Sequence, residues 1–424
     1  MTLSKHRIIQ NVLSLSALQG STYVISFLTI PYLVRVLGPE KFGLIAFAQA
    51  LIQYFVIFTD YGFNFSASRS ISKMRADMEN VRDIFWTVIT IKIIMTCIAL
   101  LLLCALIFLI PFFKSERAIY FYTFGTVIGS VLFPVWFFQG VEDMKFITIF
   151  NIVTKLSATA CIFIFIKYQE DYNIVPIINS IGQIVGGFSA LIFAWNRFDL
   201  TYRPPTLNFI INQLKEGWHI FTSMIISTLY TSSNTIIIGI LTNNTIVGYY
   251  SAAEKLIMAV TGLINPVCQA VYPHISFLVG KSKEQAIAFL SKLAYLTGIV
   301  TFFISIGLLI LASSIVRLVL GDQFEASISV VKVLSFLPFI IGLSGLTGVI
   351  TMFNFSMESL FSKVLLTRGI LNVILAFALI PLYKQNGLAV SILITEIFTT
   401  STIFYLLERR GVHIFANKYR MQLQ

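Results

Sequence analysis

Twelve times along this chain a run of some twenty apolar residues recurs, and that recurrence constrains every other reading. The hydrocarbon interior of a bilayer is about 30 Å thick, which a helix rising about 1.5 Å per residue crosses in roughly 20 residues. The runs fall at 8–34, 42–62, 84–111, 118–140, 146–167, 174–195, 217–241, 246–272, 288–312, 327–353, 362–383 and 386–407. A water-soluble chain cannot be built this way, because too little polar surface remains to face water. Hydrophobic residues make up 57% of the 424 and charged residues 12%, against about 25% charged in a soluble domain. An all-α integral membrane fold of about 12 transmembrane helices follows.

The connections carry the orientation. With the N-terminus inside, eighteen of the 30 Lys and Arg residues fall in cytoplasmic segments and seven on the opposite side. Cytoplasmic loops retain Lys and Arg, so both termini are expected in the cytoplasm, with an even number of spans. The formal charge of +11 is spread between the apolar runs rather than gathered in one patch, which argues against a nucleic-acid partner. Lys5, His6 and Arg7 precede a run too long for the apolar core of a signal peptide, so it reads as the first span. The longest internal polar stretch, 196–216, carries Pro204 and Pro205 and follows the sixth run. The expected organisation is a six-helix bundle over 1–196, a cytoplasmic linker over 197–216, a second bundle over 217–407 and a tail over 408–424. The halves share a faint repeat. Leu37, a short turn and GLIAFAQALI from Gly43 match Leu241, a short turn and GYYSAAEKLI from Gly248. Internal repeats of this kind are common in secondary transporters, where the substrate site lies between the halves.

Charges within the runs are the candidate functional residues. Placing one at a helix centre costs about 2.5–3.5 kcal/mol on insertion scales, so such a residue faces protein or water. Lys332 and Arg368 lie near helix ends and are expected to snorkel. Lys92, Lys155 and Lys255 lie about nine residues in, roughly 13 Å deep, with Glu254 and Glu396 deep among them and Asp60 near a cytoplasmic end. Glu254 and Lys255 are neighbours and cannot face one another on a helix, so each needs its own partner. The three deep lysines against two deep acids point to a wet, positive cavity for an anionic substrate. Ser223, Ser227, Tyr230 and Asn234 recur at one helical face, suited either to lining a passage or to bonding between helices. Gly182-x-x-x-Gly186 reads as helix packing. Cys97, Cys104, Cys161 and Cys268 and the four histidines form no ligand set, and no phosphate-cradling Gly-rich loop occurs, so neither a metal nor a cofactor is expected and ATP is not the direct power source.

Three blocks carry a family resemblance: PYLVRVLGPEKFGLIAFAQALIQY (31–54), DYGFNFSASRSIS (60–72) and PVWFFQGVEDMKFITIFNIVTK (134–155). In this order they resemble the polysaccharide-transporter family of the multidrug/oligosaccharidyl-lipid/polysaccharide exporter superfamily, and within it the bacterial O-antigen flippases of the Wzx type. The resemblance implies a V-shaped, MATE-like pair of six-helix bundles in the bacterial inner membrane and a flippase rather than an enzyme. The implied cargo is one O-antigen repeat unit on undecaprenyl pyrophosphate, moved by alternating access in step with an H+ or Na+ gradient. A polysaccharide polymerase and a chain-length regulator are the implied partners. Tyr249-Tyr250 followed by Glu254-Lys255-Leu256 resembles an element of the related peptidoglycan-precursor flippases, making Lys255 the first candidate for the pyrophosphate. Lys155, Lys92 and Arg35 complete the expected cation set, and Glu254, Glu396 and Asp60 are the candidates for ion coupling. Two rivals stand beside this reading. A multidrug exporter of the same superfamily would favour acids over bases in its cavity, and an O-antigen polymerase would carry a sizeable external loop.

Overall fold

The computed structural model describes residues 2–75, 77–262 and 264–414. Helices dominate, and no strand occurs among the described residues. Among the described residues, eight helical segments are long and apolar enough to cross a membrane. The first, α1 (Thr2–Asp60), and the last, α15 (Glu358–Arg409), are far longer than one crossing needs. Straight helices of 59 and 52 residues would extend about 88 and 78 Å at 1.5 Å per residue. Each is broken instead, α1 at Gly38 with φ 67° and α15 at Lys384 with φ 50°. Gly38 meets this left-handed demand without a Cβ clash. In α15 the two arms run antiparallel, because Asn372 bonds Ser391 and Arg368 bonds Glu396, pairs spaced about one turn. With these two doubled, the segments account for ten of the twelve expected spans. The other two are broken helices: α8 (Leu207–Thr231) with α9 (Ser233–Leu241), and α10 (Asn244–Thr261) with α11 (Asn265–Lys281).

The chain forms two compact units, Met1–Leu37 with Leu44–Thr228, and Gly38–Gly43 with Leu229–Gln424. In the first unit, α1 gives way to α2 (Phe63–Met74), α3 (Met78–Leu109), α4 (Arg117–Leu132), α5 (Val135–Gly140), α6 (Lys145–Phe165) and α7 (Ile174–Phe198). Asp77 caps α3, accepting from the amides of Glu79 and Asn80 and filling donors that a helix start leaves orphaned. Phe63, Phe85, Trp136, Phe137 and Phe138 are buried in one aromatic cluster of this unit. The glycines of α4 and α7 let the two helices touch. A Cβ on Gly129 would fall 2.6 Å from Gln183, and one on Gly187 would fall 2.5 Å from the Gly129 carbonyl. Gly186 and Gly182 meet Thr154 and Ala158 of α6, the packing role expected of that motif.

Segment 197–216 is not a free connection. Arg82 reaches Asp199 at 2.8 Å, the Trp86 indole donates to the Thr201 carbonyl at 3.0 Å, and Arg203 pairs with Glu79 at 3.0 Å. Its second half is already helical, as the first turns of α8.

In the second unit, α10 packs with α13 (Ser327–Leu334), while α12 (Lys283–Val319) and α14 (Leu337–Ser344) lie together. A π-helical stretch, Gly345–Met352, follows α14. The two glycines of the sequence repeat meet here. A Cβ on Gly43 would strike the Asn244 carbonyl, and one on Gly248 would strike the Pro39 carbonyl. Asn244 and Pro39 each lie four residues before the opposite glycine, so the crossing is reciprocal.

Candidate functional site

Inside the first unit lies a cavity of about 350 Å³ with a polar wall. Its construction begins at the end of α1, where Tyr61 (φ 48°) and Gly62 (φ 77°) turn the chain sharply into α2. A Cβ on Gly62 would come within 2.7 Å of Ile220, so glycine serves both the turn and the close approach of α8. The turn sets Asp60 and Asn64 side by side, and the Asn64 amide donates to both carboxylate oxygens at 3.0 Å. From α3, the Lys92 ammonium donates to Asp60 Oδ1 at 3.3 Å with its side chain 2% exposed. All three residues line the cavity. The sequence reading placed Lys92 among free cavity cations and Asp60 among coupling acids. The structure corrects this, because each neutralises the other. A lysine this deep in a span is far less costly when a carboxylate compensates it.

Lys155 is different. It reaches the cavity from the middle of α6, and its ammonium donates to the Thr22 hydroxyl at 2.8 Å. No carboxylate stands within ion-pair distance of it among the described residues. With Asp60 and Lys92 cancelling, the wall carries one net positive charge, on Lys155. The rest of the polar wall is carboxamide and hydroxyl: Gln53 from α1, Asn151 and Thr154 from α6, Gln183 from α7 and Ser130 from α4. Asn64 also keeps a buried carbonyl oxygen without a hydrogen-bond partner. Sequence reasoning missed Gln53, Asn64, Asn151 and Gln183 because it weighed formal charge. Their signal was present nonetheless, as isolated carboxamides in otherwise apolar runs.

The remaining candidates stand elsewhere. Arg35 is exposed and does not line this cavity. Ser223 is exposed too, and its hydroxyl is spent on the His219 carbonyl at 2.9 Å. The side chains of Ser227 and Tyr230 lie outside those described. α8 ends at Thr231 and α9 begins at Ser233, and Asn234 is buried in α9. Ser223 and Asn234 belong to different units.

In the second unit, Glu254 accepts from the Tyr250 hydroxyl at 2.7 Å, and the Lys255 ammonium lies 4.9 Å from the centre of the Phe42 ring. The two neighbours thus have separate partners. Arg368, expected to snorkel, instead pairs with Glu396, itself 2% exposed, across the arms of α15. Burying a guanidinium against a carboxylate on the neighbouring arm replaces the reach to the membrane boundary. Among the described residues no group of His, Cys, Asp and Glu is suited to hold a metal ion.

A helical chain with many membrane crossings and a cavity inside one of its units lined by carboxamides, hydroxyls and charged groups has the build of a membrane transporter. Two solved structures share the fold. The lipid II flippase MurJ in an inward closed conformation gives a TM-score of 0.70 at 12% identity, over 95% of this chain and 90% of that one. An inward-facing multidrug resistance MATE family transporter of the MOP superfamily gives 0.68 at 13% identity, over 92% of this chain and 95% of that one. In sequence, a family described as polysaccharide biosynthesis protein matches residues 8–279. A protein of Escherichia coli (strain K12) named as an O-antigen transporter is 34% identical over 401 residues, 95% of this chain and 97% of that one. Another of that name, from Shigella dysenteriae, is 28% identical over 390 residues, 92% and 97% of the two chains. The chain belongs to the polysaccharide biosynthesis protein family, among the O-antigen and polysaccharide transporters.

Proposed function

We propose that this protein is a flippase that carries O-antigen repeat units, linked to undecaprenyl pyrophosphate, across the bacterial inner membrane by alternating access. The observation that carries the proposal is the cavity of the first unit. It offers carboxamides and hydroxyls to sugar hydroxyls and one surplus cation, Lys155, to an anionic group. A polar headgroup that hydrocarbon rejects needs such a wall, since each unmatched polar group in an apolar medium costs several kcal/mol.

Lys155 is assigned to acidic sugars or phosphate and Lys255 to the pyrophosphate. Lys92 is withdrawn from the anion-binding set because Asp60 already holds it. The cycle runs without a resident cofactor, on an H+ or Na+ gradient, with both termini in the cytoplasm. Glu254 remains the candidate for ion coupling with a hydroxyl rather than a cation as its nearest bonded partner. A polysaccharide polymerase and a chain-length regulator would use the product on the far side. The family's relatives are named as transporters, which supports transport over the polymerase reading. The surplus of positive charge in the cavity supports an anionic cargo over a cationic drug.

The test is deletion of the gene. Lipid-linked repeat units should accumulate on the cytoplasmic leaflet and surface O-antigen should vanish, with both restored by the intact gene. Accumulation on the outer leaflet would instead point to a step after translocation and overturn the proposal.

A further inference from the structure

The end of α7 lies among exposed aromatic rings of the kind that collect at a membrane boundary. Trp195 and Tyr202 are exposed, and each meets the buried Trp86 edge-on, at 5.2 and 5.0 Å between ring centres. Rings with a polar edge collect where hydrocarbon gives way to headgroups. Two residues after Trp195, the Arg197 guanidinium lies 5.5 Å from the centre of the Phe146 ring and 6.0 Å from that of Phe193. The Lys145 ammonium lies over the same Phe146 ring at 4.9 Å. The two cationic groups are therefore no more than about 10 Å apart, close enough for one anion to meet both.

The acids nearby are already engaged. Glu142 pairs with Arg75 at 2.6 Å and Asp143 with Lys145 at 3.4 Å. Arg197 has no carboxylate within ion-pair distance among the described residues. Two clefts meet at Arg197. One, of about 350 Å³, is polar and takes in Arg75 and Lys145. The other, of about 680 Å³, is open and runs along Phe150, Ile192 and Phe193, with Asn196 and Ser189 at its side. Neither shares a residue with the cavity of the proposed transport site.

We propose that this corner of α6 and α7 is a binding site for a resident anionic phospholipid. Its phosphate sits between Arg197 and Lys145, and one acyl chain lies in the open cleft against Phe150, Ile192 and Phe193. Stacking on the rings leaves the N–H edge of the guanidinium free to hold phosphate oxygens through paired hydrogen bonds. One uncompensated charge matches a singly charged phosphodiester, as in phosphatidylglycerol, better than a diphosphate. The ligand is therefore a membrane lipid and not the headgroup of the cargo. A lipid held there would tie the start of α6 to the end of α7.

The experiment is native mass spectrometry of the full-length protein in detergent, titrated separately with phosphatidylglycerol, phosphatidylcholine and undecaprenyl pyrophosphate. The intact protein should retain one phosphatidylglycerol with about a fivefold preference over phosphatidylcholine, the gain expected of one basic contact at a lipid surface. Arg197→Gln should abolish the preference, while Lys73→Gln, which removes an exposed cation of α2, should leave it intact. If Arg197→Gln fails to insert, Asn196→Leu serves in its place and should weaken retention. Equal retention of the two phospholipids, equal loss in the Lys73 and Arg197 variants, or loss confined to undecaprenyl pyrophosphate would each overturn the assignment.

Discussion

Each unit of this protein buries an ion pair between membrane helices, yet the two pairs sit in different surroundings. In the first unit, Lys92 and Asp60 join α3 to the end of α1 on the wall of a polar cavity, with Asn64 bonded to the same carboxylate. In the second, Arg368 and Glu396 join the two arms of one hairpin, and the next rung is the fully buried pair Asn372 and Ser391. The first pair borders space that water or substrate can enter. The second is a cross-link between arms, with Thr395 and Thr399 turned back onto their own helix carbonyls. Both pairs set a cation against a carboxylate. What differs is whether a charge left behind by losing its partner finds a new one, and that sets what each pair does.

The sharpest way to break the comparison is to orphan Arg368. Glu396→Ala should destabilise the protein by about 3–5 kcal/mol, the usual penalty for removing one member of a buried pair, and should sharply reduce the amount that survives extraction. Replacing both residues with apolar ones, Arg368→Met with Glu396→Leu, should recover most of that loss if the pair is only a cross-link. Thermal unfolding of the purified variants reads both effects. A double variant as unstable as the single one would show that the pair specifies the hairpin rather than fastening it.

Asp60→Asn sharpens the comparison from the other side. Lys92 keeps its ammonium at the cavity wall, where water can solvate it and the carboxamide oxygen of the new residue can accept from it. The expected loss is therefore smaller, about 1–3 kcal/mol, and transport should change because the wall gains a second net positive charge. If Asp60→Asn costs as much as Glu396→Ala in the same unfolding measurement, the cavity is dry around Lys92 and the contrast between the units fails.

How much of this was legible beforehand follows from what is local. The length of an apolar run is local, so the spans could be read directly, including the two halves of α1 and α15. Helix breaks without Pro or Gly are not. Nothing in Thr231-Ser232-Ser233 announces the boundary between α8 and α9. Charge pairing is a tertiary fact, because it depends on which helices become neighbours. The pairs 368 with 396 and 372 with 391 both centre near residue 382, so a tight antiparallel hairpin turning there would have predicted that they meet. No comparable symmetry relates Lys92 to Asp60, since α2 intervenes between their helices. The cavity's carboxamides were visible as letters but carry no charge. Their convergence from α1, α2, α6 and α7 is set by helix packing, in part through Gly129 and Gly187.

The smallest expected effect on stability carries the most functional weight. Lys155 has a hydroxyl partner and no carboxylate, so Lys155→Gln leaves no charge behind and keeps a group able to donate to Thr22. Its effect on unfolding should lie within about 0.5 kcal/mol, as for substitutions away from packed features. Surface O-antigen in a complemented deletion strain should nonetheless fall by about tenfold or more, the equivalent of one lost charge-assisted contact of about 1.5 kcal/mol. Lys155→Arg should restore part of it, since the charge returns in a different shape. The two readouts together separate a transport role from a structural one. A Lys155→Gln protein that unfolds early places the residue beside Lys92 as a helix fastener. One that is stable and still supplies normal surface glycan removes the cation from the cargo's path and leaves the carboxamides to act alone.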